Sequence, residues 1–273
     1  MFKRWQDLVE YYRSRPWRNW IFRGQESNRW ELSSTLERAA VDRFRTDWQN
    51  LPRIEDGLLR RFQRQLHQYV ITSPAKEDTI EWYALMRHYG APTRLLDWTY
   101  SFFVAAYFAF ESAKPGSICA IWALDSAWWG QKARAALPGE LQRRIQNEDP
   151  NLKCPDTIKA ILKGSPPIPL IHPLNPFRLN DRLVAQQGVF LAPGDITRSF
   201  MDNIRALCLS NHELDRLIKL EIKCNTSLLI EALEDLHRMN VNRAALFPGL
   251  EGFARQLEQL IAIPHALAVD REP

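Results

Sequence analysis

Apolar side chains recur along most of the chain at the spacings of helices and strands. A first helix is predicted over Trp5–Tyr12, where apolar residues return every three or four positions. Strands are predicted over Trp20–Gln25, which alternates before a glycine turn, and over the largely apolar run Gly116–Asp125. In Leu217–Cys224 apolar and charged residues alternate, which predicts a strand with one solvated face.

Helical periodicity occupies more of the sequence than strand alternation does. An arginine-rich helical region is predicted over residues 36–70, with an interruption near Pro52. Further helices are predicted over Thr79–Arg87, from the capping residues at 225–227 to about Met239, and over 247–264.

The order of these elements is irregular, which bounds the fold class. Short strands are scattered among helices without a regular strand–helix–strand repeat, so the predicted class is α+β. We expect split, mostly antiparallel small sheets surrounded by helices. The proline-rich stretch 164–173 contains apolar residues that favour burial, and we interpret it as a rigid crossing within one domain. The prediction is a single domain over 1–273, with a helical insertion at about 36–87.

In the stretch Arg87–Glu111, polar side chains that could bind a ligand or take part in catalysis directly precede a segment that is expected to be buried. Asp97, Thr99 and Ser101 interrupt an apolar run, and the sequence FFVAAYFAF that follows predicts a buried helix with Ser101 as its N-cap. Asp97 and Thr99 are equally explained as turn and capping residues. The pattern alone therefore leaves a functional and a structural role open.

Positive charge is concentrated in the first quarter of the chain. Residues 1–70 hold 14 Lys and Arg against 9 Asp and Glu, a net +5 (14 − 9), whereas the whole chain carries +4. Almost all of these cations are arginine, whose planar guanidinium binds phosphate with two hydrogen bonds. A phosphate-bearing partner is one interpretation, and solvated helix faces with intrahelical ion pairs are the other.

The cysteine spacing argues against a zinc site, and the hydropathy argues against a signal peptide or a membrane span. Cys119, Cys154, Cys208 and Cys224 form no Cys-x-x-Cys pair and have no histidine at zinc-finger spacing, so no metal is expected. The first residues lack the apolar core of a signal peptide, and no run is long enough to span a bilayer. We expect a cytoplasmic protein with reduced thiols and no membrane partner.

Four segments together resemble the FRG domain, a family named for the first of them. They are Phe22–Gly24, Arg87–Glu111, the run AQQGVF at Ala185–Phe190, and Phe247–Leu250. The resemblance extends over roughly residues 18–255. The family is defined largely by sequence, so the resemblance implies little directly about chemistry.

The same segments also resemble the ADP-ribosyltransferases of the Arg–Ser–Glu type. In that family an aromatic–arginine pair lies on the first core strand, a Ser-Thr-Ser strand leads into an Ala- and Phe-rich helix, and a Glu-x-Glu loop precedes a late strand. Phe22-Arg23, Asp97–Ser101 with its helix, and Gln186–Gly188 stand in that order here. The glycine fingerprints of dinucleotide-binding folds and P-loops do not occur.

The transferase resemblance implies that NAD is consumed as a substrate, and it assigns positions that bind it. Arg23, next to Gly24, would contact the pyrophosphate or ribose. Thr99 and Ser101 would shape the nicotinamide pocket. Gln187 would occupy the place of the glutamate that holds the ribose 2′-hydroxyl.

The third segment departs from the family pattern because it lacks a carboxylate. Glutamine can hold a hydroxyl but supplies no negative charge to an oxocarbenium-like transition state. Asp97 is the first candidate for that charge, and His88, which can move a proton near neutral pH, is the second. Tyr89 would stack on nicotinamide or adenine, and Arg94 would bind a phosphate or pair with Asp97.

Several of these assignments have a purely structural alternative that the sequence leaves open. Arg23 could form a buried ion pair, and Gln187 could be a plain turn residue. His88 and Tyr89 could be a packed pair at a helix end.

These expectations combine into a first hypothesis, an NAD-dependent ADP-ribosyltransferase that acts as a toxin on a macromolecule. The arginine-rich region favours RNA or DNA over protein as the acceptor, and the resemblance implies an antitoxin protein as a partner. The alternative is a non-catalytic nucleotide- or RNA-binding module. A nuclease-like toxin ranks last, because the sequence has no paired carboxylates at metal spacing. The first hypothesis requires Arg23, Thr99 and Gln187 to face one cleft.

Overall fold

The computed structural model describes residues 1–70, 72–145, 161–177, 180–208, 211–261 and 263, in which one open sheet has helices on both faces. The expected α+β class is confirmed. The strands are β1 (Trp20–Gln25), β2 (Leu96–Thr99), β3 (Ile118–Asp125), β4 (Ile171–Leu174), β5 (Gly188–Pro193) and β6 (Leu217–Lys223). They lie in the order β4-β5-β2-β1-β3-β6, and all neighbours are antiparallel.

The sheet is split at its centre, between β1 and β2. These two strands pair only at Phe22 and Thr99. By contrast, β1 pairs with β3 along its whole length, and so does β2 with β5. Two three-stranded halves are therefore joined at one position and diverge beyond it. The split agrees with the expectation from sequence, although the two halves remain parts of one sheet.

Helices cover both faces of the sheet, with bounds close to those predicted from periodicity. The first five are α1 (Trp5–Arg13), α2 (Thr35–Glu37), α3 (Leu51–Gln65), α4 (Thr79–His88) and α5 (Phe102–Phe110). The later helices are Ser126–Ala135, Gly139–Ile145, Asp181–Ala185, Phe200–Leu207, Thr226–Arg238, Arg243–Leu246 and Leu250–Leu260. A π-helical turn, Arg38–Arg43, continues α2, and 3-10 turns span Trp48–Asn50, Leu66–Gln68 and Asn211–Arg216. Within the described ranges, every helix is too short or too polar to cross a lipid bilayer.

Alternating side chains of the strands fill two cores, one on each face of the sheet. On β1, Ile21 packs into the core that holds α3 and α4, whereas Phe22 packs into the core that holds α1 and α5. On β3, Trp122 belongs to the first core and Ile121 to the second. Both faces of β3 are buried, which explains its nearly continuous apolar sequence.

Two prolines are placed differently from the interpretation of the sequence. Pro52 does not interrupt a helix but lies in the first turn of α3, where its missing N–H would have had no intrahelical partner. The segment Ile171–Leu174, with Pro173, is the edge strand β4 and not only a surface crossing. An edge strand tolerates proline because one of its sides makes no ladder hydrogen bonds.

The cysteines of the described residues are free thiols, namely Cys119, Cys208 and Cys224. Cys154 and the end of the last predicted helix, at Pro264, lie outside the described residues.

Candidate functional site

A cavity of about 740 Å³ opens where β1 and β2 diverge. Its walls include residues 22–25 of β1, residues 97–99 of β2, and part of α2 with the π-helical turn that continues it. The cavity occupies the split in the sheet. Where the two strands diverge, their backbone N–H and C=O groups need hydrogen-bond partners other than each other.

Arg23 reaches across the split from β1 to β2. Its Nη1 donates a hydrogen bond of 2.7 Å to the backbone carbonyl of Asp97. Burial lowers the pKa of Arg23 to about 10, against the opposing effect of Asp97, so the guanidinium stays charged at neutral pH. Its Nε is buried and has no acceptor among the described residues, an uncompensated donor of a kind that is rare in folded proteins.

Asp97 is surrounded by arginines. It accepts hydrogen bonds from Arg87, 2.9 Å from Nε and 2.5 Å from Nη2. Arg38 and Arg182 also line the cavity and interact electrostatically with Asp97; burial is the main cause that lowers the pKa of each guanidinium. Neither of these two forms an ion pair with a carboxylate of the described residues. We call Arg23, Arg38, Arg87 and Arg182 the arginine cluster. All four interact with Asp97, while Glu37 and Asp42 also act on Arg38 and Glu111 acts on Arg182. Guanidinium groups gathered in this way can bind an anionic ligand.

Thr99 and Ser101 fix the backbone at the end of β2. The buried hydroxyl of Thr99 donates to the carbonyl of Gln186 at 2.6 Å and accepts from the N–H of Ser101 at 3.0 Å. Ser101 is the N-cap of α5, as predicted, with its Oγ accepting from the N–H of Val104 at 3.3 Å. Thr99 reaches the cavity wall and Ser101 does not. The bonds of both hydroxyls serve the local backbone, so the nicotinamide role expected for Ser101 does not fit its position.

The glutamine that lines the cavity is Gln186, and the expectation for Gln187 is corrected. Gln186 is buried, and its Nε2 donates to the carbonyl of Leu246 at 3.0 Å. Gln187 is exposed, with a left-handed backbone conformation (φ 47°) in the turn before β5. Successive residues of a turn point in different directions, so a shift of one position removes Gln187 from the site.

One segment of the chain matches a known protein family. Residues 18–117 match the family model of the FRG domain. This segment is an FRG domain. The matched segment contains β1, β2, α5 and every residue that lines the cavity except Arg182 and Gln186, and it ends just before β3. No curated protein and no solved structure matches the chain.

The tripeptide that gives the FRG domain its name contributes to three different parts of this structure. Phe22 is buried in the core beneath α5, and Arg23 reaches into the cavity. Gly24 lets α5 pack closely, because a Cβ there would lie 1.9 Å from the carbonyl oxygen of Ala105 and 2.6 Å from the nitrogen of Ala109. Gly24 lines the cavity, but its lack of a side chain is explained by helix packing.

His88 and Tyr89 lie outside the cavity in the FRG domain. His88 lines a second cavity of about 360 Å³, and Arg182 lines both. Burial, with a contribution from Arg182, lowers the pKa of His88, which favours the neutral form of its imidazole. Tyr89 is 61% exposed and lines neither cavity. The structure therefore does not bring these two residues to Asp97.

Arg94 belongs to the protein interior. Its guanidinium forms a buried ion pair with Glu55 of α3, with Nε 2.9 Å from each carboxylate oxygen. The predicted pairing of Arg94 with Asp97 is wrong, since Asp97 pairs with Arg87. A phosphate-binding role does not fit a side chain that is fully engaged by Glu55 and absent from the cavity wall.

Glu37 lines the cavity and was missed by the sequence interpretation. Burial raises its pKa to about 7, although the carboxylate accepts a hydrogen bond of 3.2 Å from the N–H of Phe200. The spacing Ser34-x-x-Glu37 is a capping-box signal, and Ser34 Oγ accepts from the N–H of Glu37 at 3.1 Å. That signal predicts a helix start and says nothing of a cavity. Three further carboxylates line its other parts, Glu26, Glu31 and Asp42.

Proposed function

We propose that this FRG domain binds NAD in the cavity between β1 and β2 and transfers its ADP-ribose group to a macromolecular acceptor. The observation that carries the proposal is the convergence of three distant segments. Arg23, Thr99 and Gln186 line one cavity, and they come from the three segments on which the ADP-ribosyltransferase resemblance rests.

The arginine cluster supports the binding of a diphosphate. Guanidinium groups hold phosphate oxygens through paired hydrogen bonds, and Arg38 and Arg182 form no ion pair with a carboxylate in the described part of the chain. Arg23 Nε and Trp98 Nε1 are buried donors without an acceptor in the described part of the chain. A volume of about 740 Å³ also falls within the roughly 300–1,000 Å³ of small-molecule sites.

In the proposed reaction the bond between C1′ of the nicotinamide ribose and the nicotinamide nitrogen breaks. Its electron pair leaves with neutral nicotinamide, and positive charge develops on the ribose. The carboxylate of Asp97 stabilises that charge, and the amide of Gln186 holds a ribose hydroxyl. A nucleophilic atom of the acceptor then bonds to C1′ and releases its proton. Thr99 acts through its hydrogen bond to the Gln186 carbonyl.

The test uses NAD labelled separately in its nicotinamide and adenylate halves, incubated with the protein and a cell extract. We expect free nicotinamide and labelled macromolecules from the wild type. Removal of a group that stabilises the transition state costs about 100-fold or more, so Asp97→Asn and Arg23→Ala should lose both products. Arg13→Ala, which removes an exposed arginine of α1, is the matched control and should keep full activity.

Two results would contradict the proposal. One is a folded wild type that releases no nicotinamide in any extract. The other is an Arg23→Ala variant as active as the wild type.

Binding without turnover is the second candidate function, and one observation favours it. The segment before β5 offers the cavity an amide, and Asp97 is already paired with Arg87. In this case NAD would raise the melting temperature, as any ligand of the native state does, without forming nicotinamide. Arg23→Ala would abolish the rise.

We extend the first proposal to a toxin that an antitoxin protein restrains. Expression of the wild type should then arrest growth, and Asp97→Asn should not. A module that only binds a nucleotide would leave growth unchanged in both cases.

A further inference from the structure

Helix α3 presents an arginine-bearing face to solvent. The residues of its buried face recur at helical spacing, namely Leu51, Glu55 and Leu59. Arg53, Arg60 and Arg64 are exposed on the opposite side, since a period of 3.6 residues places these positions together. We call them the outer arginine stripe. At a rise of 1.5 Å per residue the stripe is about 16 Å long, roughly the length of five stacked nucleotides.

The stripe weakens the helix that carries it. Gly57 lies within the stripe, and a Cβ there would meet nothing within 4 Å, so packing does not require glycine. A glycine in a helix interior costs about 1 kcal/mol relative to alanine. Arg60 and Arg64 are four residues apart, a spacing at which like charges cost about 0.2–0.5 kcal/mol. Residues that destabilise their own helix are typical of functional positions.

Carboxylates do not neutralise the stripe. In the described ranges, Arg53, Arg60 and Arg64 form no ion pair. Asp56, four residues before Arg60, pairs with Lys163 through its carboxylate and accepts from Arg60 only through its backbone carbonyl. A solvated helix face usually interleaves charges of both signs. Arginine at all three positions, and lysine at none, favours paired hydrogen bonds to phosphate.

An exposed aromatic ring lies on either side of α3 along the chain. Phe44, 67% exposed, precedes the helix, and Tyr69, 78% exposed, follows it. Arg43 lies over the Phe44 ring, with its Cζ 5.1 Å from the ring centroid. Exposed rings beside cations are the platforms on which unpaired bases stack. Phe44 directly follows the turn Arg38–Arg43 that borders the cavity.

We propose that the outer arginine stripe, together with Phe44 and Tyr69, binds single-stranded nucleic acid and that this strand is the acceptor. The stripe holds phosphates, and the two rings stack on unpaired bases. The role as acceptor rests on the proposed transferase function, whereas the binding does not.

The test is fluorescence anisotropy without NAD, at salt concentrations between about 50 and 200 mM. The probes are a labelled RNA of about 20 nucleotides, DNA of the same sequence, the duplex DNA, and polyglutamate. We expect both single strands to bind more tightly than the duplex, because stacking needs unpaired bases. The comparison of RNA with DNA shows whether the ribose 2′-hydroxyl contributes.

Salt dependence measures the contribution of the stripe. Each phosphate contact of a single strand contributes about −0.7 to the slope of log K against log salt, so three arginines contribute about −2. The triple variant Arg53→Gln/Arg60→Gln/Arg64→Gln should reduce the slope by that amount. Its affinity deficit relative to the wild type should then shrink by roughly 20-fold between 50 and 200 mM salt.

A charge-matched control separates the stripe from general electrostatics. Arg13→Gln/Arg15→Gln/Arg18→Gln removes three exposed charges at the end of α1 and just beyond it, and α1 packs on the other face of the sheet from α3. It should leave the slope nearly unchanged. Phe44→Ala with Tyr69→Ala should weaken binding of single strands about 10-fold or more without changing the slope.

The inference is overturned if both triple variants lose equal affinity, if no single strand binds at low salt, or if the duplex binds as tightly as the single strands. Polyglutamate bound as tightly, with the same sensitivity to the stripe, would identify an acidic protein surface as the partner instead. If single strands bind but no nicotinamide is ever released, the binding surface stands and only the acceptor role falls.

Discussion

Substitutions in the buried ion pair of Glu55 and Arg94 test whether Arg94 stabilises the fold and takes no part in the candidate site. Glu55→Gln leaves the Arg94 guanidinium buried beside a neutral partner. Arg94 is 4% exposed, so water cannot solvate the guanidinium that has lost its charged partner. Removing one member of a buried pair typically costs about 3–5 kcal/mol, a large part of the roughly 5–15 kcal/mol by which a folded protein is stable. Arg94→Met alone should cost a similar amount.

Replacing both members should cost far less than either single change. In Glu55→Leu/Arg94→Met the two charges disappear together, and apolar side chains of comparable size fill the space between α3 and the segment that precedes β2. Exchanges of this kind are often neutral or stabilising, because the desolvation penalty of both ions is removed. We expect the double variant to unfold within about 1.5 kcal/mol of the wild type, a coupling of several kcal/mol.

Urea unfolding followed by tryptophan fluorescence measures these free energies, and the change in melting temperature on adding NAD measures ligand binding. The double variant should respond to NAD like the wild type, since Arg94 is absent from the cavity wall. Single variants that cost less than about 1 kcal/mol would refute the buried pair. A stable double variant that no longer responds to NAD would place Arg94 in the site after all.

Three further changes test other parts of the structure. Gly24→Ala should cost about 3 kcal/mol or more in urea unfolding, because its Cβ would lie 1.9 Å from the Ala105 oxygen; a cost below about 1 kcal/mol would contradict this packing. Burial raises the pKa of Glu37 from 4.5 to about 7, so the folded protein binds the more protons and its unfolding free energy should fall as pH rises through that range. Melting curves of Glu37→Gln should lack this fall, and an unchanged pH dependence would count against it. Ser101→Ala should cost about 1 kcal/mol as the lost N-cap of α5, and a neutral result would show that the cap contributes nothing.

Sequence patterns predicted those parts of the molecule that depend on local periodicity. The alternation in β1 and β6 and the apolar run of α5 specify their elements because burial of one face or both leaves few alternatives. Of the three residues expected to face one cleft, Arg23 and Thr99 line the cavity and Gln187 does not. That expectation rested on a family resemblance, since nothing local indicates which strands pair.

The sequence could not show which of two neighbouring or similar residues lines the cavity or forms an ion pair. Gln186 and Gln187 are chemically identical, and only the backbone of the turn decides which one faces the cavity. Asp97 has an arginine three residues earlier, Arg94, yet its partner is Arg87, because Arg94 pairs with Glu55 of α3, 39 positions away from it. The arginine cluster is assembled from separate elements by tertiary packing, and the charge count of residues 1–70 hinted at only part of it.

The split in the sheet makes the shape of the Arg23 side chain matter more than its charge. One donor, Nη1, already holds the Asp97 carbonyl across the split at 2.7 Å, beside the single paired position of β1 and β2. A guanidinium has further donors in a fixed plane, so Arg23 can keep β2 in place and still bind a phosphate. A lysine carries one compact ammonium and must give up one of these partners. Arg23→Lys should therefore lose most of the NAD-induced rise in melting temperature although it keeps the charge, and its unfolding free energy without NAD should fall by about 1 kcal/mol. If Arg23→Lys responds to NAD as the wild type does, charge alone is sufficient, and the cavity does not depend on one side chain that bridges the two halves of the sheet.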